Sequence, residues 1–309
     1  MGLSHNPVLL NSVIEGLNII PNGTYIDCTF GRGGHSKNIL EKIGNEGKLI
    51  AIDKDGEAES YAISNFTNDK RFYFERNNFS NIKHIIEKYN NSQKVNGILL
   101  DLGVSSPQLD NPKRGFSFMN EGPIDMRMDT SSHMTALLWL QEANVNEISD
   151  VLKQYGEEKY SRRIAKLIKK SLESDSLKTT IDLSKLINKC YPKSESRKKN
   201  TATRSFQAIR IFINKELEEL EKILEDILAL VEKGGRIVII SFHSLEDRIV
   251  KNFINKHSDG KNIISKLPIA NLNKNLSLKK IKLPLKASEV EIKKNIRARS
   301  ARIRVAEKL

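Results

Sequence analysis

A glycine-rich turn between an apolar run and a helical pattern limits the fold more than any other feature of the sequence. The stretch reads Tyr25-Ile-Asp-Cys-Thr-Phe-Gly-Arg-Gly-Gly-His-Ser36. A strand that stops at glycines and restarts as a helix leaves backbone N–H groups beside a ligand, at the positive end of the helix dipole. Because Gly31, Gly33 and Gly34 lack Cβ atoms, the backbone can turn sharply and lie close to that ligand. The stretch predicts the floor of a nucleotide-type cofactor site.

Further apolar runs alternate with helical patterns on both sides of a long interruption. The runs that predict strands cover residues 24–29, 48–53, 71–74, 95–101 and 234–241. Strands that alternate with helices predict βαβ units and a parallel sheet, so the fold class is α/β and Rossmann-like.

The interruption predicts an inserted subdomain. After Gly103 the chain is first rich in Gly, Pro, Asp and Asn, then helical in period, and it ends in a polar, basic segment. One long helix is predicted at 203–232, and a strand-like alternation at 296–306. We therefore expect an α/β domain in two parts, 1–104 and 201–309, with a loop-rich and helical subdomain at 105–200 between them.

The charge and cysteine content favour some functions over others. The 309 residues include 51 Lys and Arg against 38 Asp and Glu, a net charge of +13, which weakly favours a nucleic-acid partner over a merely lysine-rich proteome. The two cysteines, Cys28 and Cys190, form no metal-ligand spacing and no disulfide framework. With neither a leader-like segment nor a membrane-length apolar run, the sequence predicts a cytoplasmic protein with no metal and no membrane partner.

The glycine turn suits two cofactor classes, and its third glycine position separates them. A dinucleotide fingerprint needs glycine where this chain has Ser36, so the NAD dehydrogenase interpretation fails. An acid before the turn, here Asp27, is the pattern of S-adenosylmethionine methyltransferases. Asp53 ends the second strand, where it can accept hydrogen bonds from ribose hydroxyls in either class. Phe79 can flank an adenine, and Asp101 can accept from the adenine amino group or the cofactor's ammonium group.

Eight motifs together resemble the ribosomal RNA small subunit methyltransferase H family, also called MraW. They begin at His5, Thr29, Asp101, Arg114, Asp125, Ala202, Gly235 and Arg297, and read HNPVLL, TFGRGGHS, DLGVSSPQLD, RGFSF, DMRMD, ATRSFQAIRI, GRIVIISFHSLEDR and RARSARIR. They occur in family order from residue 5 to 306.

This resemblance implies a class I methyltransferase that uses S-adenosyl-L-methionine, with the insertion recognising substrate. It implies methyl transfer to N4 of a cytidine in the decoding region of 16S rRNA, within the small ribosomal subunit. By family motif, the cofactor-binding residues are Gly33, Gly34, His35, Asp53, Phe79, Asp101 and Gln108.

Candidate catalytic residues follow from the difficulty of methylating an amino group conjugated to a ring. Acceptors must hold its N–H bonds so that the lone pair turns towards the methyl group, and Ser105 or Ser106 can serve. Phe116 or Phe118 can stack on a flipped base, although a role in packing the loop is equally consistent. His243 can contact RNA phosphate or accept the released proton, the alternative being a hydrogen-bonded structural histidine.

Basic residues cluster in three places. The first cluster is Arg197, Lys198, Lys199, Arg204 and Arg210; the second is Lys159, Arg162, Arg163, Lys166, Lys169 and Lys170; the third is Lys293, Lys294, Arg297, Arg299, Arg302 and Arg304. Because arginine suits bidentate phosphate contact, we expect the first and third clusters to bind RNA and the second to be a solvated helix face.

Two other functions remain compatible with the sequence. One is a non-catalytic, rRNA-binding ribosome assembly factor, and the other is a DNA cytosine-N4 or adenine-N6 methyltransferase. The altered motif after strand four and the lack of an evident DNA-reading domain weigh against the second. The sequence leaves open whether the chain forms a homodimer.

Overall fold

The chain forms two compact units in the computed structural model, which describes residues 7–192, 201–258 and 276–309. The first unit combines Met1–Gly103 with Leu217–Leu309, and the second is Val104–Glu216. The α/β fold class predicted from the sequence is confirmed by the first unit.

The first unit is built on a mainly parallel sheet. Its described strands are β1 (Thr24–Asp27), β2 (Lys48–Asp53), β3 (Phe72–Arg76), β4 (Val95–Asp101), β5 (Val231–Ser241), β6 (Leu278–Ile281) and β7 (Arg302–Lys308). They lie in the order β3-β2-β1-β4-β5-β7-β6. Strands β1 to β5 are parallel, whereas β7 is antiparallel to both β5 and β6. The chain order reverses between β1 and β4, which is the switch point of a doubly wound sheet.

Helices cover both faces of this sheet. They are α1 (Leu10–Leu17), α2 (Gly34–Leu40), α3 (Gly56–Phe66), α4 (Ile82–Asn90), α11 (Glu216–Leu230), α12 (Ser244–Ser258) and α13 (Glu289–Lys294). Side chains alternate along β4, so Ile98 and Leu100 enter one core while Leu99 enters the other. A central strand buried on both faces carries consecutive apolar residues, which is why Ile98, Leu99 and Leu100 follow one another in β4.

The second unit is helical. It contains α5 (Ser106–Asp110), α6 (Ala136–Glu142), α7 (Val145–Gly156), α8 (Ser161–Glu173), α9 (Thr180–Lys189) and α10 (Ala202–Asn214). Asn214 fastens α10 to the loop before α6, because its amide donates to Met126 O at 2.8 Å and its oxygen accepts from Met128 N at 2.7 Å. The compact unit therefore continues to Glu216, beyond the predicted boundary at residue 200.

Two element predictions were wrong. The single helix expected at 203–232 is two helices, α10 and α11, because Lys215 between them has a φ of 51° and ends α10 in a left-handed turn. The alternation expected at 296–306 starts as a 3-10 helix over Ile296–Ser300, and the strand begins only at Arg302. Among the described helices, none combines the length and the apolar character needed to cross a bilayer.

Candidate active site

Three aspartates mark the carboxyl edge of the sheet at its switch point. Asp27, Asp53 and Asp101 are the last residues of β1, β2 and β4, and β1 lies between the other two strands. Ligands of open α/β sheets bind in the crevice outside this edge. The fold of the first unit therefore brings together the acids that the sequence pointed to.

The glycine turn follows β1 and is closed by backbone geometry that favours glycine. Gly31 and Gly33 have φ values of 55° and 67°. A Cβ on Gly33 would lie 2.4 Å from the Phe66 ring, so a larger residue does not fit. Helix α2 begins at the next residue, Gly34, and its first turn stands at the edge of the site.

Asp27 stabilises this turn through hydrogen bonds to residues on both sides of it. It is 1% exposed, and its carboxylate accepts from Ser36 Oγ at 2.7 Å and from Thr29 N at 3.1 Å. The serine at the third glycine position is thus a hydrogen-bond donor that fastens α2 to the end of β1. Burial raises the pKa of Asp27 more than its neighbours His35 and Ser36 lower it.

His35 and Asp101 face each other across the switch point. His35 is 5% exposed, and its Nε2 lies 3.5 Å from Asp101 Oδ2. Both imidazole nitrogens and Asp101 Oδ1 are buried and have no hydrogen-bond partner among the described residues. Burial lowers the pKa of His35, but Asp101 and Asp27 raise it to above its ordinary value. Unpaired polar atoms in such a place fit a charged, hydrogen-bonding ligand.

Asp53 is held by two backbone donors. Its Oδ2 accepts from Gly31 N at 2.8 Å and its Oδ1 from Asp55 N at 2.9 Å, which joins the end of β2 to the glycine turn. Burial raises the pKa of Asp53 to about 6, although these two N–H groups oppose the shift. The carboxylate is partly exposed, so it keeps room for further donors such as ribose hydroxyls.

Glu219 on α11 ties together the loops after β2 and β3. Its carboxylate forms an ion pair with Lys54 at 2.8 Å and accepts a hydrogen bond from the Asn78 amide. Lys54 directly follows Asp53, and Asn78 directly precedes Phe79. Phe79 opens a 3-10 helix, Phe79–Asn81, and is half-buried against the core. Sequence reasoning missed Glu219, because nothing local relates it to loops so distant in the chain.

Gln108, Ser105 and Ser106 lie in the second unit, around the start of α5. Ser105 N-caps this helix, and its backbone N–H donates to the Gln108 side chain at 2.9 Å. Gln108 is buried, while both serines are half-buried. The cap fixes the backbone at Ser105, and the binding and catalytic roles of these residues stay predictions.

The stacking role expected of Phe116 or Phe118 does not agree with the burial of Phe116 and stays a prediction for Phe118. Phe116 is buried in the core of the second unit. Phe118 makes an edge contact with Phe206 on α10, with ring centroids 4.8 Å apart. Phe116 is therefore used in packing the helical unit, whereas Phe118 is only half-buried.

His243 follows β5 and is ordered by Glu246 on the first turn of α12. Its Nδ1 accepts from Glu246 N at 3.4 Å, and its Nε2 lies 3.1 Å from Glu246 Oε1. The other carboxylate oxygen of Glu246 accepts from the backbone N–H groups of Phe242 and His243 at 2.8 and 3.3 Å. The imidazole is therefore held beside a buried acid at the carboxyl end of β5.

Several arginines expected to bind RNA form ion pairs inside the protein. Asp247 binds Arg302 at 3.1 Å and Arg304 at 2.7 Å, and Glu216 binds Arg210 at 2.8 Å. Arg197, Lys198 and Lys199 lie outside the described residues. Three arginines of the first and third basic clusters, which were expected to bind RNA, therefore pair with acids of the protein instead.

The residues at this edge fit S-adenosyl-L-methionine. Asp101 would take its ammonium or adenine amino group, Asp53 its ribose hydroxyls, and Phe79 would flank the adenine. The glycine turn leaves space for close backbone approach. Fold and site together define a Rossmann-like methyltransferase that uses S-adenosyl-L-methionine.

Comparison with known proteins gives the family. The profile of the MraW methylase family matches residues 2–309, and the chain belongs to this family. It is 49% identical over 307 residues to the ribosomal RNA small subunit methyltransferase H of Thioalkalivibrio sulfidiphilus, which covers 99% of this chain and 98% of that protein. It is 50% identical over 304 residues to the protein of the same name from Ruthia magnifica, covering 98% of each.

The chain also aligns with solved structures, at low sequence identity. An rRNA methylase from Streptococcus thermophilus aligns over 97% of this chain and 93% of that one, with 10% identity and a TM-score of 0.42.

Proposed function

We propose that the chain transfers a methyl group from S-adenosyl-L-methionine to N4 of a cytidine in the decoding region of 16S rRNA. The choice of rRNA as substrate is supported by the near-complete alignment with proteins named ribosomal RNA small subunit methyltransferase H. The choice of N4 and of the decoding region rests on the resemblance of motifs such as DLGVSSPQLD after β4. Such a substrate puts the enzyme in the cytoplasm, in contact with the small ribosomal subunit.

The first task of the protein is to position the nucleophile. The cytosine amino lone pair is delocalised into the ring, so it must be turned out of conjugation before it can attack. In our proposal, Ser105 or Ser106 and nearby carbonyl groups accept the amino N–H bonds and fix that orientation. The cap at Ser105 supports this role, because it gives the backbone there a defined conformation.

The second task is to remove a proton. When bound, S-adenosyl-L-methionine supplies a methyl group on a sulfonium, whose sulfur leaves as a neutral thioether. The amino nitrogen, once methylated, carries an extra proton, and we assign its removal to His243. The Glu246 carboxylate at 3.1 Å from Nε2 would stabilise the imidazolium that results.

Labelled S-adenosyl-L-methionine tests the proposal. The protein is incubated with small-subunit particles, naked 16S rRNA or duplex DNA, and label is measured in each. Label in the particles or the rRNA supports an rRNA methyltransferase. Label in DNA alone would indicate a DNA amino-methyltransferase, and label in none would indicate a binding factor without turnover.

A further inference from the structure

Helix α8 carries a stripe of basic side chains on its outer face. Arg162, Arg163, Lys166 and Lys170 are all exposed. At 3.6 residues per turn they occupy a sector of about 100°. The opposite face, with Ile164, Ala165 and Ile168, is buried in the core of the second unit. We call these four basic residues the α8 stripe.

The charges of the α8 stripe are not neutralised within the described part of the chain. None of the four side chains forms an ion pair or hydrogen bond with another described residue. The first turn of α8 contains no acid. The nearby buried acid, Glu158, already accepts from Tyr160 N at 3.0 Å and from the Tyr191 hydroxyl.

Lys169 shows what a structural lysine of this helix looks like. Its ammonium group donates to the backbone oxygens of Leu140 and Gln141, at 3.3 and 2.7 Å, and so fixes α8 to the end of α6. The α8 stripe has no such partners. It also differs from Arg210, Arg302 and Arg304, whose guanidinium groups bind acids of the protein.

We propose that the α8 stripe binds the phosphate backbone of the RNA substrate, an inference that rests on the proposed function. It gives four residues of the second basic cluster, which the sequence led us to expect as a solvated helix face, the RNA contact expected of the other two clusters. Its charge is complementary to phosphate, and two of its members are arginines, which suit bidentate phosphate contact. From Arg162 to Lys170 the helix rises about 12 Å, long enough for more than one phosphate. Backbone contacts position an RNA and carry no sequence information, so the stripe anchors the substrate while other residues select the cytidine.

The test removes the stripe's charge and measures RNA affinity. Arg162→Gln, Arg163→Gln, Lys166→Gln and Lys170→Gln are combined in the full chain, and binding to 16S rRNA is measured over a range of salt concentrations. The control variant replaces four exposed lysines of the first unit by glutamine and so loses the same total charge. These lysines have no side-chain partner among the described residues: Lys42, Lys70, Lys94 and Lys233.

We expect the stripe variant to bind rRNA at least about ten-fold more weakly at moderate salt, with a salt slope lower by roughly 1.5 to 3, because each phosphate contact on a single strand contributes about 0.7. Its affinity for S-adenosyl-L-methionine, measured by calorimetry, should stay within about two-fold of the wild type. The control should keep the wild-type RNA affinity and slope.

Equal losses in the stripe and control variants would overturn the inference, since bulk charge would then explain them. An unchanged stripe variant would do the same while leaving rRNA methylation by the wild type intact, which separates this failure from that of the proposed function. The double variant Arg162→Lys/Arg163→Lys keeps the charge of the stripe, so it should keep most of the wild-type affinity for rRNA. If the quadruple variant does not fold, the pairs Arg162→Gln/Lys166→Gln and Arg163→Gln/Lys170→Gln replace it, and each should lose about half of the slope change.

Discussion

His35 Nε2 lies 3.5 Å from Asp101 Oδ2, although His35 lies in the helix after β1 and Asp101 is the last residue of β4. The contact spans β1 and β4, where the strand order reverses. The pair leaves buried polar atoms without partners among the described residues, and such atoms can bind a polar ligand. We regard it as the centre of the candidate cofactor site.

Removing either member of this pair should weaken cofactor binding. We expect Asp101→Asn to lower the affinity for S-adenosyl-L-methionine by at least about ten-fold, because it removes the charge that faces the ligand's cationic group. His35→Ala should have a smaller effect, and the double variant should show coupling. Calorimetric titration measures all three, with the exposed Asp150→Asn as control. Wild-type affinity in Asp101→Asn would contradict this role.

Cofactor affinity should depend on pH through Asp53. Its pKa is raised to about 6 by burial, so the carboxyl group is largely protonated in the free protein below that pH. Ribose hydroxyls donate to the ionised form, and affinity should therefore rise as pH increases through about 6 and level off above it. By the same linkage, the stability of the free protein should fall as pH rises from about 4 to about 6, because the folded state keeps a proton that Asp53 in the unfolded chain has already lost. Titrations between about pH 5 and 8 should show the dependence in the wild type and lose it in Asp53→Asn.

Glu219 should act as a positioning residue. Because its carboxylate holds Lys54 and Asn78, which adjoin Asp53 and Phe79, Glu219→Ala should let both loops move. We expect KM for S-adenosyl-L-methionine to rise about five-fold or more with kcat nearly unchanged. Its exposed neighbour on α11, Glu221→Gln, is the matched control. A fall in kcat alone would argue for a different role.

His243 should control the rate of methyl transfer. If it accepts the proton, His243→Ala should lower kcat by roughly 100-fold. His84→Ala removes an exposed histidine from α4 and should not change kcat. A His243→Ala enzyme with the wild-type rate at every pH would leave the imidazole a structural role beside Glu246.

The sequence predicted the sheet best where strands are buried on both faces. The runs at 48–53 and 95–101 coincide with β2 and β4 because a strand covered on both faces carries consecutive apolar residues, here 49–52 and 98–100. Strand β6 was missed, since Leu-Lys-Lys-Ile at the sheet edge is half polar and lies in a lysine-rich stretch. The break at Lys215 was missed because a left-handed lysine leaves no signature in a helical pattern.

The acids of the candidate site could be predicted from the sequence, whereas the residues that position them could not. Asp53 and Asp101 stand out because each ends an apolar run, and βαβ topology brings such ends to one edge. Glu219 and the partners of the arginines depend on tertiary contacts between distant segments. From the sequence, Arg302 and Arg304 were therefore predicted to contact RNA, whereas in the structure both form ion pairs with Asp247.

The most direct test of the central claim is nucleoside analysis of 16S rRNA methylated by the protein in small-subunit particles. The rRNA is digested after reaction with labelled S-adenosyl-L-methionine, and the labelled nucleoside is identified by mass spectrometry. Our account predicts that label appears in N4-methylcytidine, at a decoding-region cytidine, and that Asp101→Asn lowers this labelling when the cofactor is limiting. Label in another nucleoside, or none in rRNA from any particle, would contradict it.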